Sequence, residues 1–216
     1  MYKIVVYIIF LFSAVTTNAQ QSNLLPHGSF KNGDIIFQDL DCGPLCDAIE
    51  SVTAGYKGMH LSHIPIVEIT NGSIQVIEAI GNIVHKTPID TFLNRIVDSN
   101  GKPKIIIGRL KSSYLKLLPK ALAFCNKQLG KPYDDAFLPD NDKYYCSELL
   151  YDAFKYANRG KDFFFLQPMT FKDKITNDYF PAWINYFKAL NMKIPEGIEG
   201  CNPAGIANDK KIRMLN

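Results

Sequence analysis

Cys146 stands where a helix is expected to begin, and a cysteine in that position can act as a nucleophile. An Asp-rich loop precedes it, and Asp142 is a plausible N-cap for a helix predicted over 143–158. In a first turn, unpaired N–H groups and the positive end of the helix dipole favour a thiolate over a thiol. The same N–H groups can hydrogen-bond the oxyanion that forms when a thiolate attacks a carbonyl. The alternative is a buried cysteine that only fills space.

A thiolate nucleophile needs a base, and His63 is the best placed of the four histidines in the chain. It heads an apolar run over 63–69, and a second run over 73–80 follows after Asn71-Gly72. Asn-Gly between two such runs is the strongest short-range signal for a β-hairpin. The pattern therefore predicts that His63 stands at the head of a strand, where its side chain can project over the end of the sheet.

The register of this hairpin decides which acid can orient the imidazole. A two-residue turn places His63 opposite Ile80 and Pro65 opposite Glu78, and opposite residues share a face of the sheet. His63 and Glu78 are then diagonal neighbours on one face, while Glu68 falls on the other. A carboxylate that fixes the tautomer of the base is the third member of such a site. A three-residue loop would turn Glu78 away, so the sequence leaves the register open.

Several other residues are weaker candidates. Tyr133 and Tyr145 are candidate substrate-binding residues that can also donate to an oxyanion, although a buried tyrosine with a satisfied hydroxyl is the commoner case. His85 is a candidate second histidine of the cleft, and His60 is expected at its rim or on the surface. The three phenylalanines over 163–165 are expected in the core, or as an apolar wall beside the site.

The elements that must position these residues follow from apolar periodicity and turn signals. Strands are predicted over 33–37, 63–69, 73–80, 84–87 and 104–110. Helices are predicted over 45–53, 89–97, 114–129 and 143–158. The chain beyond Gly160 is expected to be packed irregular structure. We therefore expect an α+β fold in which a small, mostly antiparallel sheet is packed with helices.

Residues 1–19 have the pattern of a secretory signal peptide. Lys3 precedes an almost wholly apolar run over 4–15, and small residues end at Ala19. The run is shorter than the about 20 residues that a membrane span needs. We expect cleavage after Ala19, a single domain over 20–216, and an exported protein, periplasmic or extracellular, without stable membrane insertion. A retained N-terminal anchor is the alternative.

Charge and cysteine content exclude some classes of function. The formal net charge is +3 without a dense basic patch, which gives no reason to expect nucleic-acid binding. Five cysteines are an odd number for an exported protein, so at least one thiol is free or pairs between chains. Cys42 and Cys46 have neither redox nor zinc-ribbon spacing, and no metal or other cofactor is expected. A disulfide involving Cys42, Cys46 or Cys201 remains open.

Four motifs, taken in order, carry a resemblance to a known family. They are the runs 33–37 (GDIIF), 62–67 (SHIPIV), 76–79 (VIEA) and 145–149 (YCSEL). Their order resembles that of the permuted papain-like hydrolases, and more narrowly the NlpC-type YaeF/YiiX branch, in which the His strand precedes the Cys helix.

Two further segments extend the resemblance, and two features depart from it. The run 129–134 (LGKPYD) resembles the family's segment before the Cys helix, and residues 195–203 resemble its C-terminal loop over the site. Pro65 stands where family members usually have Gly, and the segment 42–46 is extra to the family pattern.

The resemblance implies a circularly permuted papain-like fold and a thiol amidase or peptidase. Cys146 would be the nucleophile, His63 the base and Glu78 the acid that orients it. The substrate would be a small peptide of cell-wall type or an N-acyl compound. A lipid acyl hydrolase or acyltransferase, and a non-catalytic binding module on the same fold, remain as alternatives. No cofactor or metal is implied, and the oligomeric state is left open.

Overall fold

The computed structural model describes residues 29–53 and 55–215. The predicted signal peptide over 1–19 and His27 lie outside the described residues, so export stays a prediction. Within the described part of the chain, no helix is both long enough and apolar enough to cross a membrane.

A six-stranded antiparallel sheet forms the centre of the fold, with the strand order β4-β3-β2-β1-β5-β8. Its strands are β1 (Ile35–Gln38), β2 (Ile66–Thr70), β3 (Ser73–Ile80), β4 (Ile83–Pro88), β5 (Ile105–Leu110) and β8 (Ile212–Leu215). Two short strands, β6 (Gln167–Pro168) and β7 (Glu199–Gly200), pair separately.

The described residues also form six α-helices and a 3₁₀ segment over Ser112–Leu117. The helices are α1 (Pro44–Val52), α2 (Ile89–Leu93), α3 (Leu118–Lys127), α4 (Cys146–Ala157), α5 (Pro181–Ala189) and α6 (Pro203–Ala207). The predicted α+β class is therefore confirmed.

The β2–β3 hairpin has the predicted two-residue turn. Asn71 and Gly72 both have positive φ angles, 51° and 79°, which is the conformation that a tight hairpin turn requires and that Asn-Gly adopts readily. Ile66 pairs with Ile77, and the register continues to the turn without a bulge. The register that places Glu78 on the same face as His63 is thus confirmed.

Each face of the sheet is covered by a different set of helices. Ile66 and Ile77 point to the face that packs on α3 and α4, where Leu149 and Phe154 are fully buried. The intervening positions, such as Val67, point to the opposite face and pack against α2. A third apolar cluster joins α5 to α1. Burial of both faces fixes the register, because a one-residue slip would exchange the two sets of side chains.

The Cys helix begins later than predicted, at Cys146, with Tyr145 as its N-cap residue. The expectation that Asp142 caps a helix over 143–158 is wrong. The chain is extended just before the helix, because Tyr144 forms an isolated β-bridge with Tyr133, in which its N–H donates to the carbonyl of Pro132. Asp142 instead forms an ion pair with Lys131. Cys146 consequently occupies the first helical position.

The expectation of irregular structure beyond Gly160 is also wrong in part. That region contributes α5, α6 and the edge strand β8, which pairs with β5 through Gly108 and Met214. A side chain at Gly108 would clash with Phe37 and Ile212, so a glycine is needed where these residues cross. The helix predicted over 114–129 is divided into the 3₁₀ segment and α3, with Pro119 in the first turn of α3.

Candidate active site

His63 extends the line of β2 and is held by the backbone of β1. Its N–H donates to the Gln38 carbonyl at 3.0 Å, and the Gln38 N–H donates to the His63 carbonyl at 2.9 Å. Pro65 lacks an N–H but still accepts from Ile36, so it fits this position. The His63 side chain is buried, with only 2% of the residue exposed. The backbone ladder therefore fixes where the imidazole stands.

The imidazole of His63 lies between Cys146 and Glu78. Its Nε2 atom is 2.7 Å from Oε2 of Glu78, which leaves Nδ1 for Cys146. Burial opposes a charge on His63, but hydrogen bonds to Cys146 and Glu78, together with their negative charges, raise its pKa to about 9. The imidazole is therefore protonated at neutral pH. A thiol, an imidazole and a carboxylate are thus in contact with one another, which is the set of groups that a cysteine hydrolase requires.

Glu78 is fully buried but has several partners. Burial alone would raise its pKa, but hydrogen bonds from His63, Arg95 and Thr87 hold the pKa well below its usual range. Arg95 donates through Nη2 to Oε1 at 2.6 Å and through Nη1 to Oε2 at 3.0 Å. The Thr87 hydroxyl donates to Oε1 at 2.6 Å. Glu78 is thus a carboxylate that accepts hydrogen bonds at both oxygens.

Sequence reasoning missed Arg95 and Thr87. Thr87 lies on β4 and Arg95 follows α2, so a prediction of their contact would have needed the β3–β4 register and the position of α2. The only available signal was an arginine in the helix predicted over 89–97, beyond the strand that pairs with the Glu78 strand. A single arginine in that position is too common to indicate a role.

The other two histidines of the described residues, His60 and His85, lie outside the Cys146–His63 contact. His85 is opposite Glu78 on β4, and its Nε2 atom is 3.7 Å from Oε1 of that carboxylate, with the side chain 37% exposed. His60 is mostly exposed and pairs with Glu50 at 3.3 Å, as expected of a rim residue. Glu68 is on the opposite face of the sheet, where it accepts from Lys86.

The two candidate tyrosines have different surroundings. Both line a cleft next to Cys146. Burial raises the pKa of Tyr133, and the charge of Cys146 raises it further, so the hydroxyl lies within the electrostatic reach of the nucleophile and stays protonated. The Tyr145 hydroxyl instead accepts a hydrogen bond from the Cys201 N–H at 3.2 Å. Tyr145 therefore holds the C-terminal loop against the Cys helix, and Tyr133 is the better placed to contact a substrate.

The other cysteines are either bonded or inert. Cys42, which lies just before α1, forms a disulfide with Cys46 in the first turn of that helix. Cys125, Cys146 and Cys201 are free. Burial raises the pKa of Cys125 and of Cys201 to about 12, so both stay thiols. Within the described residues, no group of three or more His, Cys, Asp or Glu side chains is arranged to hold a metal ion.

The phenylalanine cluster divides between core and surface. Phe163 and Phe164 are buried, the first stacked on Phe154 of α4 and the second edge-to-face with it, whereas Phe165 is 78% exposed. None of the three lines the cleft next to Cys146, and Phe164 and Phe165 line a neighbouring groove.

Comparison with known proteins identifies relatives of this fold. Residues 29–216 match a family described as permuted papain-like amidases, YaeF/YiiX, C92 family. The chain is 30% identical over 128 residues to the Escherichia coli (strain K12) protein YiiX, an alignment that spans 59% of this chain and 58% of the relative's length.

A solved structure shows the same fold. It is the crystal structure of the metalloprotein YiiX from Escherichia coli O157:H7, with a TM-score of 0.68 and 23% identity. The match covers 86% of this chain and 96% of that one. The matched family and the shared fold lead to one conclusion: the chain belongs to the permuted papain-like amidases of the YaeF/YiiX, C92 family.

Proposed function

We propose that this protein is a thiol hydrolase that cleaves an amide bond through a covalent acyl-enzyme. The observation that most supports this is the buried chain of contacts from Cys146 through His63 to Glu78. Membership of an amidase family supports the same reaction class. In the proposed roles, Cys146 is the nucleophile, His63 the general base and acid, and Glu78 the residue that orients the imidazole.

The proposed reaction has two halves. In the resting site His63 already holds the Cys146 proton as an imidazolium, and the thiolate attacks the carbonyl carbon to form a tetrahedral oxyanion. The C–N bond then breaks as the imidazolium gives its proton to the leaving amine, which leaves a thioester on Cys146. In the second half, water gives a proton to His63 and attacks the thioester. The C–S bond breaks, the acid product leaves, and the thiolate–imidazolium pair is restored.

Two groups are proposed to stabilise the oxyanion. The backbone N–H of Cys146 is the first of α4, so it has no partner within the helix. The Tyr133 hydroxyl, which stays protonated near the charge of Cys146, would be the second donor. Donors fixed in advance around the reacting carbonyl lower the barrier without reorganisation.

A non-catalytic binding module is the competing function on the same fold. Burying the charges of His63 and Glu78 costs free energy, and a module that transfers no proton gains no activity in return for that cost. The contacts of Glu78 therefore favour the enzyme.

Export is part of the proposal. The signal-peptide pattern over 1–19 supports it, and so does the Cys42–Cys46 disulfide, since disulfides persist in oxidising compartments. N-terminal sequencing of the protein recovered from a secretory host tests this, with Gln20 as the expected first residue. A mature chain that still begins at Met1 in the cytosolic fraction would contradict it.

The proposed reaction is tested by incubating the protein with two classes of candidate substrate, muropeptides and N-acyl amino acids, and measuring free amines. The full chain should release new free amines from at least one class, and both Cys146→Ala and His63→Ala should abolish the release. Cys125→Ala is the matched control, because that thiol is buried and inert, and it should retain the activity. Amine release that survives Cys146→Ala would refute the proposed mechanism.

A further inference from the structure

The cleft next to Cys146 is lined mainly by uncharged side chains. It has a volume of about 110 Å³, and its walls include Ile49, Val52, Phe171 and Trp183. Among the described residues that line it, none apart from the reacting Cys146 carries a charged side chain. A charged group placed here would lose its hydration without gaining a partner, whereas an apolar group would be favourably removed from water. The cleft is therefore suited to an uncharged, apolar part of a substrate.

A second groove lies beside this cleft, and unlike the cleft it is lined by lysines. The two share the lining residues Gln167, Cys201 and Asn202, so the groove borders the cleft. The groove carries Lys57 and Lys210, both exposed, together with the Lys211–Asp209 pair at 2.8 Å.

The second groove has a net positive charge. Lys211 neutralises Asp209, but across residues 29–53 and 55–215 neither Lys57 nor Lys210 has a carboxylate partner. The groove therefore presents two uncompensated positive charges to a bound molecule.

The reacting thiol lies close to the boundary between the two regions. Cys146 lines the cleft, and the next residue, Ser147, donates through its hydroxyl to the Cys201 carbonyl at 3.0 Å. Cys201 itself faces both regions. A substrate that reaches Cys146 can thus extend into the apolar cleft on one side and toward the lysines on the other.

We infer that the substrate is amphipathic, with an apolar group seated in the cleft and an anionic group, a carboxylate or a phosphate, held near Lys57 and Lys210. This inference rests on the proposed function, because it names the substrate class of that site. The apolar contact supplies affinity, and the two lysines select the sign of the head group. Muropeptides without a long apolar group would be poor ligands.

The test measures binding to the full-length Cys146→Ala variant, which cannot form the thioester. Trp183 is the only tryptophan in the sequence and lines the apolar cleft, so its fluorescence reports occupancy. Four probes are titrated: N-decanoylglycine, decyl phosphate, N-decanoylethanolamine and N-acetylglycine. The first two are anionic with a chain, the third is neutral with the same chain, and the fourth is anionic without one.

The expected result is tighter binding of an anionic decyl probe than of N-decanoylethanolamine by about fivefold to tenfold, the effect of two exposed ion pairs. N-acetylglycine should leave Trp183 unchanged at the same concentrations. Whichever anionic probe binds more tightly identifies the head group. The advantage should shrink at high salt, because the lysines are exposed.

Matched variants localise the effect. The double change Lys57→Gln and Lys210→Gln should remove the preference for anionic probes, and both residues are exposed, so the fold should tolerate it. The control change Lys188→Gln and Lys193→Gln, at a different groove beside α5, should preserve the preference.

Three results would overturn the inference: equal binding of neutral and anionic chains, a preference that persists in the Lys57/Lys210 variant, or no response of Trp183 to any probe. Failure of the proposed function is separately visible, since it would appear as an unreactive Cys146 in the wild-type chain. Selective binding together with an unreactive thiol would support the binding site and refute the enzyme.

Discussion

Arg95 donates hydrogen bonds to both carboxylate oxygens of Glu78, and the same carboxylate is hydrogen-bonded to His63. The Glu78 side chain is completely buried, whereas the Arg95 side chain is 24% exposed. A carboxylate removed from water is stable only if it is paired and hydrogen-bonded. Arg95 therefore allows the protein to keep an ionised acid next to its proposed base.

Loss of Arg95 should destabilise the fold strongly. The change Arg95→Met leaves Glu78 buried with a single charged partner, and breaking a buried pair of this kind costs about 3–5 kcal/mol. Urea unfolding monitored by circular dichroism measures the effect. The control is Lys86→Met, which breaks the more exposed pair with Glu68 and should cost about 1 kcal/mol or less. Equal losses in the two variants would show that Arg95 makes no special contribution.

Glu78 should set the alkaline limit of activity. Burial alone would lower the pKa of His63, whereas the contacts with Cys146 and Glu78 raise it to about 9. The imidazolium that protonates the leaving amine is present below this pKa and is lost as the pH rises through it. Activity should therefore fall above about pH 9, and Glu78→Gln should move that fall to lower pH because it removes a negative charge.

The control for this pH profile is Glu68→Gln, on the opposite face of the sheet. It should leave the alkaline limb unchanged. If Glu78→Gln lowers the rate equally at every pH without moving the limb, Glu78 acts on folding and not on the charge of His63.

Tyr133 and Tyr145 should respond differently to removal of the hydroxyl. Tyr133→Phe should lower kcat by about a hundredfold with little change in KM, as expected for the loss of an oxyanion donor. Tyr145→Phe removes the hydrogen bond from Cys201 and should instead lower the free energy of unfolding by about 1 kcal/mol. Steady-state kinetics and urea unfolding of both variants separate the two roles. A normal kcat in Tyr133→Phe would exclude that residue from the oxyanion site.

The Cys42–Cys46 disulfide should contribute modestly to stability. It closes a loop of sequence separation 4, and the loop-entropy relation gives about 2 kcal/mol for so short a loop. The double change Cys42→Ser and Cys46→Ser should lower the unfolding midpoint by a corresponding amount without affecting Cys146. A larger loss, or a loss of Cys146 reactivity, would indicate that the disulfide positions the α1 wall of the cleft.

Part of this architecture could be predicted from the sequence because it depends on local rules. Asn71-Gly72 determines a two-residue turn, and the turn alone places Glu78 on the same face as His63. The apolar stripe of α4 likewise predicts a buried helix immediately after Cys146. The catalytic roles of these residues stay predictions.

The parts of the fold and site that the sequence did not predict depend on contacts between segments that are distant in sequence. Strand β8 pairs with β5 across about a hundred residues of sequence, and its short run has no strong strand signal of its own. The start of α4 is set by the bridge from Tyr144 to the segment at Pro132, which competes with the capping signal of Asp142. Arg95 reaches Glu78 only because α2 folds back over β3 and β4. Local patterns carry no information on such pairings.

The most direct test of the central claim is the rate at which iodoacetamide alkylates Cys146 near pH 7, with the modified residue identified by peptide mass spectrometry. We expect Cys146 to react faster than a model thiol such as glutathione, and the advantage to disappear in His63→Ala. Cys125 and Cys201, whose pKa values burial raises to about 12, provide internal controls that should remain unlabelled. A Cys146 that reacts no faster than glutathione, or as fast without His63 as with it, would contradict the account.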